Sequence, residues 1–446
     1  MKPVLEGLTG KVITPCDNEY EQARQEWNRA IQKFPVGIIY CYSVRDIRNA
    51  IRWARLNDIR IRIRSGGHHY QGYSTGNGVL VIDISAMRQM ELDEVNGFVF
   101  VQGGVKNHEV YNYLGTRGYP FPGGTCPTVG VAGYTLGGGW GYSSRYFGLG
   151  CDNLAALEIM NDQGKILQVD DNHNSDLFWA CKGGGGGNLG VVTSMTFQLP
   201  PKIAQVTLIE LESLNASPET MACFLNSWQE WLIGLDPRIT INASLYHSAE
   251  DGMGIYGRGL FYGNAEEAAQ ILRPFQRDGA ALNLQEMTFL EAMQKIQDAY
   301  PDSEKFQSTG RFVNRKYSME EIKTIVDLIR QRANGSVYAA VSVYALGGRV
   351  GEIGKKCTAF YYRDAAYIMG IQSVWEEDRY AFENECWLYE KFQCLKQLTT
   401  GSYINFPYNC LADYEEEYYG RNVCRLWQVN RQYDPTNVFS FPQAIR

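Results

Sequence analysis

The feature that most constrains this chain is its glycine, which is concentrated in three runs. The first is Ser65-Gly66-Gly67-His68-His69-Tyr70, directly after the alternating segment Ile59 to Arg64. The second runs from Phe121 to Gly141 and holds eight glycines in 21 residues. The third is Gly183 to Gly187, followed by Asn188-Leu189-Gly190-Val191-Val192-Thr193. Glycine at this density raises the entropic penalty of folding, so a fold tolerates it where backbone must approach something closely. Two adjacent glycines can also turn the chain so that several N–H groups converge into an anion-binding nest suited to a pyrophosphate. The plain alternatives are a tight turn for the first run and a linker for the third. The second run is no flexible linker, since Val, Leu and Trp fill it where Ser and Glu would be expected. It is also neither a Rossmann fingerprint nor a Walker loop.

The chain has 446 residues, more than one core usually serves, which points to two domains. Hydrophobic residues make up 45% and charged residues 20%, an ordinary globular balance. The net charge of −7, with no run of Lys or Arg, argues against nucleic acid as a partner. The first residues, Met1 to Gly7, contain no apolar leader, and no stretch reaches the roughly 18 apolar residues of a membrane span. The default expectation is therefore a cytoplasmic protein. The 11 cysteines are scattered without a CxxC pair, which speaks against zinc or any other metal site and predicts mostly buried thiols.

Periodicity supplies the elements. Ser43 and Asp46 form a capping box ahead of Ile47, Ile51 and Ala54. Val79 to Ile84 is wholly apolar in its middle and reads as a strand buried on both faces, and Phe98 to Val101 is a further strand. After Pro200-Pro201 the elements lengthen. Strands are expected at Val206 to Leu214, Ile239 to His247, Gly254 to Tyr262, Val337 to Leu346 and Thr358 to Tyr367, with capped helices opening at Asn264 and Ser318. The pattern is α+β, with an antiparallel sheet covered by helices on one face in the second part.

Taken together, the three glycine runs resemble the PCMH-type FAD-binding domain of the vanillyl-alcohol oxidase superfamily, and within it the berberine-bridge-enzyme-like oxidases. The middle run supplies C-P-T-V-G-x-x-G-x-x-x-G-G-G-x-G. The tail adds Tyr403-Ile404-Asn405-Phe406-Pro407, Tyr418-Tyr419-Gly420-Arg421-Asn422 and Tyr433-Asp434-Pro435, with Asn437, Phe439 and Gln443. The resemblance implies an FAD-binding domain over residues 1–200, completed by residues 403–446, and a substrate domain over residues 201–402. It implies covalent attachment of FAD through His68 to the 8α-methyl carbon and through Cys126 to carbon 6. Both links would raise the flavin potential. The plain alternatives are a surface His and a structural Cys. Further FAD contacts are implied at Arg64, Ser65, Gly66, Gly67, His69, Val129, Gly130, Gly133, Tyr134, Gly138, Gly139, Gly141, Gly190, Val192 and Asn405. Val129 resembles the family's oxygen gatekeeper, where valine accompanies oxidases and leucine dehydrogenases.

Two positions depart from the family pattern. Relatives commonly carry Y-x-N-Y, whose second Tyr is the catalytic base, but here that position is Phe406. Tyr70 and Tyr403 remain as phenols that would wall the pocket or act as bases. The second role would need a nearby positive charge to lower a pKa of about 10. Gln372 falls where other relatives place a carboxylate base, so it can touch substrate without serving as base. Tyr134 stands where many relatives have His. The resemblance thus implies a small-molecule oxidase acting on an alcohol, sugar hemiacetal or amine C–H, with dioxygen as acceptor and hydrogen peroxide as product. Phe406 leaves a flavin-carrying structural protein as the rival reading. A dehydrogenase with a non-oxygen acceptor is the other.

Overall fold

A computed structural model describes residues 5–277 and 279–446. Met1 to Val4, part of the segment read for a leader, lie outside the described residues. Three sheets organise the chain. The first contains β1 (Lys11–Ile13), β2 (Gly37–Tyr40), β3 (Ile61–Arg64) and β4 (Leu80–Asp83), in the order β1-β2-β4-β3. β4 is central, parallel to both β2 and β3, and buried along its length, which accounts for its apolar sequence. The helix Val44–Leu56 makes the crossover between β2 and β3 and turns Ile47, Ala50, Ile51 and Ala54 onto the sheet. At its start the Asp46 carboxylate accepts from the Ser43 N–H at 3.0 Å and from its hydroxyl at 2.9 Å, so the capping box forms.

The second sheet is antiparallel, in the order β5-β6-β9-β7-β8. It is built from β5 (Met90–Asp93), β6 (Phe98–Gln102), β7 (Leu154–Met160), β8 (Ile166–Val169) and β9 (Val191–Gln198). The three glycine runs lie between elements of these two sheets: the first follows β3, the second falls in the stretch before β7, and the third leads into β9.

The third sheet has eight antiparallel strands: β10 (Val206–Ser213), β11 (Ile239–Ser248), β12 (Gly252–Phe261), β13 (Ala281–Met287), β14 (Lys305–Val313), β15 (Ser336–Ala345), β16 (Tyr367–Trp375) and β17 (Thr400–Ser402). Their order is β13-β10-β12-β11-β15-β16-β14-β17. Its two faces differ in chemistry. On β11, Ile239, Ile241, Ala243 and Leu245 enter the core, while Asn242 and Ser244 look out the other way. On β15, Ala339, Val341 and Val343 are core, and Tyr338, Ser342 and Tyr344 face out. The apolar face meets the helices Pro218–Trp231, Met319–Asp327 and Ala381–Leu398, through Leu225, Trp228, Ile322, Ile325 and Leu388 among others. This is the α+β architecture expected.

Two expectations fail. Thr358 to Tyr367 is not a strand; β16 begins only at Tyr367. The segment instead clasps the glycine-rich region. The Ala359 N–H donates to the Trp179 carbonyl, the Phe360 N–H donates to the Lys182 carbonyl, and Arg363 makes a bidentate pair with Asp152 at 2.7 and 2.8 Å. Arg363 and Asp152 are both buried, so this clasp prevails over the segment's β pattern. The cysteines are also not mostly buried: of the eleven, only Cys41, Cys151 and Cys181 are, and all eleven are free thiols. Among the described residues no helix is long and apolar enough to cross a membrane.

Candidate active site

A cavity of about 750 Å³ separates the glycine loops from the open face of the eight-stranded sheet. That volume is in the range of small-molecule and cofactor pockets. Of the residues singled out from sequence, Ser65, Gly66, Gly67, His68, His69, Tyr70, Cys126, Val129, Gly130, Gly133, Tyr134, Gly190, Val192, Gln372 and Asn405 all line it.

The loops form one wall because they interlock without side chains. A Cβ on Gly66 would overlap the Gly130 N–H, and one on Gly130 would overlap the Ser65 hydroxyl. That hydroxyl donates to the Gly103 carbonyl at 2.8 Å. At Gly67, with φ +70°, the chain turns through a conformation that favours glycine. Gly133 differs, because nothing lies within 4 Å of where its Cβ would be. Backbone there is bare toward the cavity.

Thr128 joins the two reactive side chains. Its hydroxyl is 2.7 Å from His68 Nε2 and 3.9 Å from Cys126 Sγ. The His68 ring also stacks on Trp27, with centroids 5.2 Å apart. Burial, then the Lys106 charge, lowers His68 to about 3, so the imidazole is neutral and its lone pair available at neutral pH. Burial pushes the Cys126 thiol up. His69 is likewise lowered to about 3 by burial and then by Lys33, and its Nδ1 accepts from the Gln71 N–H at 3.2 Å.

Five sequence-derived positions are not brought to the cavity. Arg64 turns away and pairs with Asp83 at 2.5 Å and with Glu26 at 3.6 Å. Gly138, Gly139 and Gly141 are packing glycines: a Cβ would meet the Phe360 ring, the Tyr134 ring and the Gly123 carbonyl respectively. Tyr403 is buried, and its hydroxyl oxygen accepts from the N–H groups of Gly139 at 3.1 Å and Trp140 at 3.0 Å, and from Asn405 Nδ2 at 3.1 Å. It is a structural knot between the tail and the second glycine run. Asn405 extends that knot by donating to the Tyr134 carbonyl at 2.9 Å.

Neither phenol meets the condition for a base. Burial pushes Tyr403 up to about 12, and it pushes Tyr70 well above the ordinary phenol value, helped by Tyr344 and Tyr300. Among the described residues no positive charge is a leading cause of either shift. Tyr70 instead stacks on Phe406, with rings 5.4 Å apart and 4° from parallel, and meets the Phe306 ring edge-on. The opposite wall is neutral and polar. Ser244 and Ser342 share a hydrogen bond of 2.7 Å, and Tyr142 donates to Asn242 Oδ1. Residues missed from sequence include Trp27, Thr128, Glu304 and Tyr300, whose hydroxyl lies 2.6 Å from that of Thr125. Thr128 sits inside the C-P-T motif and could have been found there. Trp27 and Glu304 belong to no motif.

Comparison with known proteins now bears on this site. Residues 35–170 match the FAD binding domain family, and residues 402–446 match the berberine and berberine-like family. An uncharacterized FAD-linked oxidoreductase of Bacillus subtilis, YgaK, is 34% identical over 445 residues, covering 98% of this chain and 97% of that protein. The chain belongs to the berberine-bridge-enzyme-like FAD-linked oxidoreductases. Solved structures agree on the fold. The BBE-like 1 protein of Physcomitrella patens superposes with a TM-score of 0.90 at 24% identity, over 98% of this chain and 96% of that one. Glucooligosaccharide oxidase from Acremonium strictum, described with a 6-S-cysteinyl, 8α-N1-histidyl FAD, has a TM-score of 0.89 at 21% identity, over 98% and 97% of the two chains.

The residues of this FAD-linked oxidoreductase fit the cofactor. The interlocked glycines leave a cradle whose open side, at Gly133, a Cβ would enter. A neutral imidazole and a thiol converge on one hydroxyl at its edge.

Proposed function

We propose that this enzyme holds FAD through both His68 and Cys126 and oxidises a small organic molecule at an alcohol, sugar hemiacetal or amine carbon, using dioxygen as acceptor and releasing hydrogen peroxide. Residues 1–200 and 403–446 would hold the cofactor, and residues 201–402 the substrate. The observation that carries this reading is the Thr128 hydroxyl shared by His68 and Cys126. When bound, FAD supplies the hydride acceptor and passes the electrons on to dioxygen.

The chain's own part is to bind, orient and seal. His68, neutral through burial, would offer a ring nitrogen to hold the cofactor. Cys126 would hold the cofactor through its sulfur, and the Thr128 hydroxyl, 3.9 Å from that sulfur, is placed to share its proton. The bare backbone near Gly133 and the turn at Gly66-Gly67 would hold the phosphate-bearing portion. Val129, which lines the cavity, would leave room for dioxygen. On the other wall Gln372, Asn242, Ser244 and Ser342 offer neutral hydrogen bonds that orient substrate hydroxyls without charge. Phe406 and Tyr70 give a stacked aromatic surface, and the Tyr70 phenol stays protonated near neutral pH. The reaction favoured here is one whose proton leaves to water or to a polar wall group.

Acid precipitation tests the reading. Parent, His68→Ala and Cys126→Ala proteins should each give a yellow pellet, and the double variant a colourless one with free FAD in the supernatant. A colourless parent pellet defeats covalent attachment. Reduction by substrate followed by slow reoxidation in air would defeat the oxidase assignment and favour the dehydrogenase.

A further inference from the structure

Among the described residues, Glu304 is the one carboxylate that lines the cavity. It immediately precedes β14 and shares the parity of Phe306, Ser308 and Gly310, whereas Lys305 turns the other way to pair with Asp378 at 2.7 Å. Its backbone is fixed on both sides: the N–H donates to the Trp27 carbonyl at 3.3 Å, and its carbonyl accepts from the Arg29 N–H at 2.8 Å. Among the described residues its carboxyl group has no ion pair and no hydrogen bond. Glu304 is half-buried, and a carboxyl facing a largely aromatic cavity without a partner is left to be completed by what the cavity binds. Burial alone raises it to about 7.

The surroundings narrow what completes it. Trp27 and Phe306 meet edge-to-face at 5.8 Å, and Tyr338 is near enough for the Glu304 charge to push its phenol further up. The lysine or arginine that lines the cavity, Arg62, is already bound to the carbonyls of Ile61 and Ser440. Tyr338, Tyr300 and Tyr70 are raised and His68 is lowered by burial, so all four are uncharged near neutral pH. One anionic group among aromatic faces is the chemistry that recognises an organic cation.

We infer that the substrate carries a cationic nitrogen, an amine set apart from the reacting carbon, which Glu304 binds against Trp27, Phe306 and Tyr338. This rests on the oxidase reading for the reacting end of the molecule and on the cavity alone for the charged end. Glu304 is then a specificity-determining residue. It selects among small molecules that the neutral wall would otherwise accept.

The test uses the holoenzyme and benzyltrimethylammonium chloride, with affinity measured by titration calorimetry at about pH 5.5 and about pH 8.5, either side of the carboxyl's raised value. The expected result is binding at least about tenfold tighter at the higher pH, and a loss of at least about tenfold there in Glu304→Gln, which also flattens the pH dependence. Equal affinity at the two pH values in the parent overturns the inference, even if the variant fails to fold. So does unchanged affinity in a folded Glu304→Gln protein. A second arm compares 4-(aminomethyl)benzyl alcohol with 4-methylbenzyl alcohol by bleaching of the flavin band. A KM lower by about tenfold for the aminomethyl compound supports the inference. Bleaching by both at equal KM keeps the oxidase reading and overturns this one. Cation binding with no bleaching by either upholds the cation site and removes benzylic alcohols from the proposed substrates.

Discussion

The two walls of the cavity are built on opposite principles. The loop wall presents backbone: Gly66, Gly130 and Gly133 bring main chain to the surface, with His68 and Cys126 set among them. The sheet wall presents side chains: Asn242, Ser244, Ser342, Tyr344 and Gln372 stand out from alternating positions of three strands. A backbone wall must exclude Cβ atoms, so its requirements are written into the sequence as dense glycine. A side-chain wall needs only the outward half of a strand pattern, and almost any polar set satisfies the fold. The loop wall is therefore rigid in what it accepts, and the sheet wall is free to diverge.

The sharpest way to break the contrast is to put a side chain into the loop wall. Gly66→Val would drive methyl groups into the Gly130 N–H and the Thr128 carbonyl, where backbone rather than a movable side chain is in the way. The expected outcome is near-complete loss of flavin, read from the absorbance ratio of purified protein. Ser342→Val on the sheet wall should leave flavin content near that of the parent. If both variants load flavin equally, the two walls do not differ as argued.

What could be read from sequence follows the same division. The glycine runs, the tail motifs, and the positions of His68 and Cys126 were legible because each depends on residue type at fixed spacing. Which glycines face the cavity was not. Gly133 and Gly139 lie in the same run, yet one is open and the other is closed by the Tyr134 ring. Arg64 sits beside the first run but is held by Asp83 and Glu26 from distant segments. Thr358 to Tyr367 has strand-like composition, and only the Arg363–Asp152 pair, formed across the fold, shows why it is not a strand. Glu304 had no local signal at all. It matters because topology carries it to Trp27 and Tyr338.

A smaller effect is expected at the joint between the walls. Tyr403→Phe removes an acceptor from three donors: two buried N–H groups and the Asn405 amide. Buried unsatisfied donors each cost roughly 1–3 kcal/mol, so the two orphaned N–H groups should lower stability by roughly 2–6 kcal/mol, seen as a lower Tm. Its kcat should stay within a few-fold of the parent. A residue acting as general base would instead show a fall of roughly 10²–10⁴-fold. A large loss of kcat with unchanged Tm would return Tyr403 to the catalytic machinery.

The smallest effect is the most specific to each wall, because their buried titratable groups tilt stability in opposite directions with pH. On the loop wall His69 is held at about 3 against an ordinary 6.5, so the unfolded chain takes up its proton first as pH falls. The fold therefore loses stability from about pH 6.5 down toward pH 3, and nothing is lost above that window. On the sheet wall Glu304 is raised from an ordinary 4.5 to about 7, so the folded protein holds its proton longer. Stability there falls as pH rises from about 4.5 through 7. In melting curves taken across pH 4 to pH 8, His69→Gln should flatten the acid-side decline, and Glu304→Gln should flatten the decline toward neutrality. Each variant should leave the other slope in place. Parallel curves for parent and variants would mean that neither group is shielded from water in solution, and the contrast would then be one of shape alone.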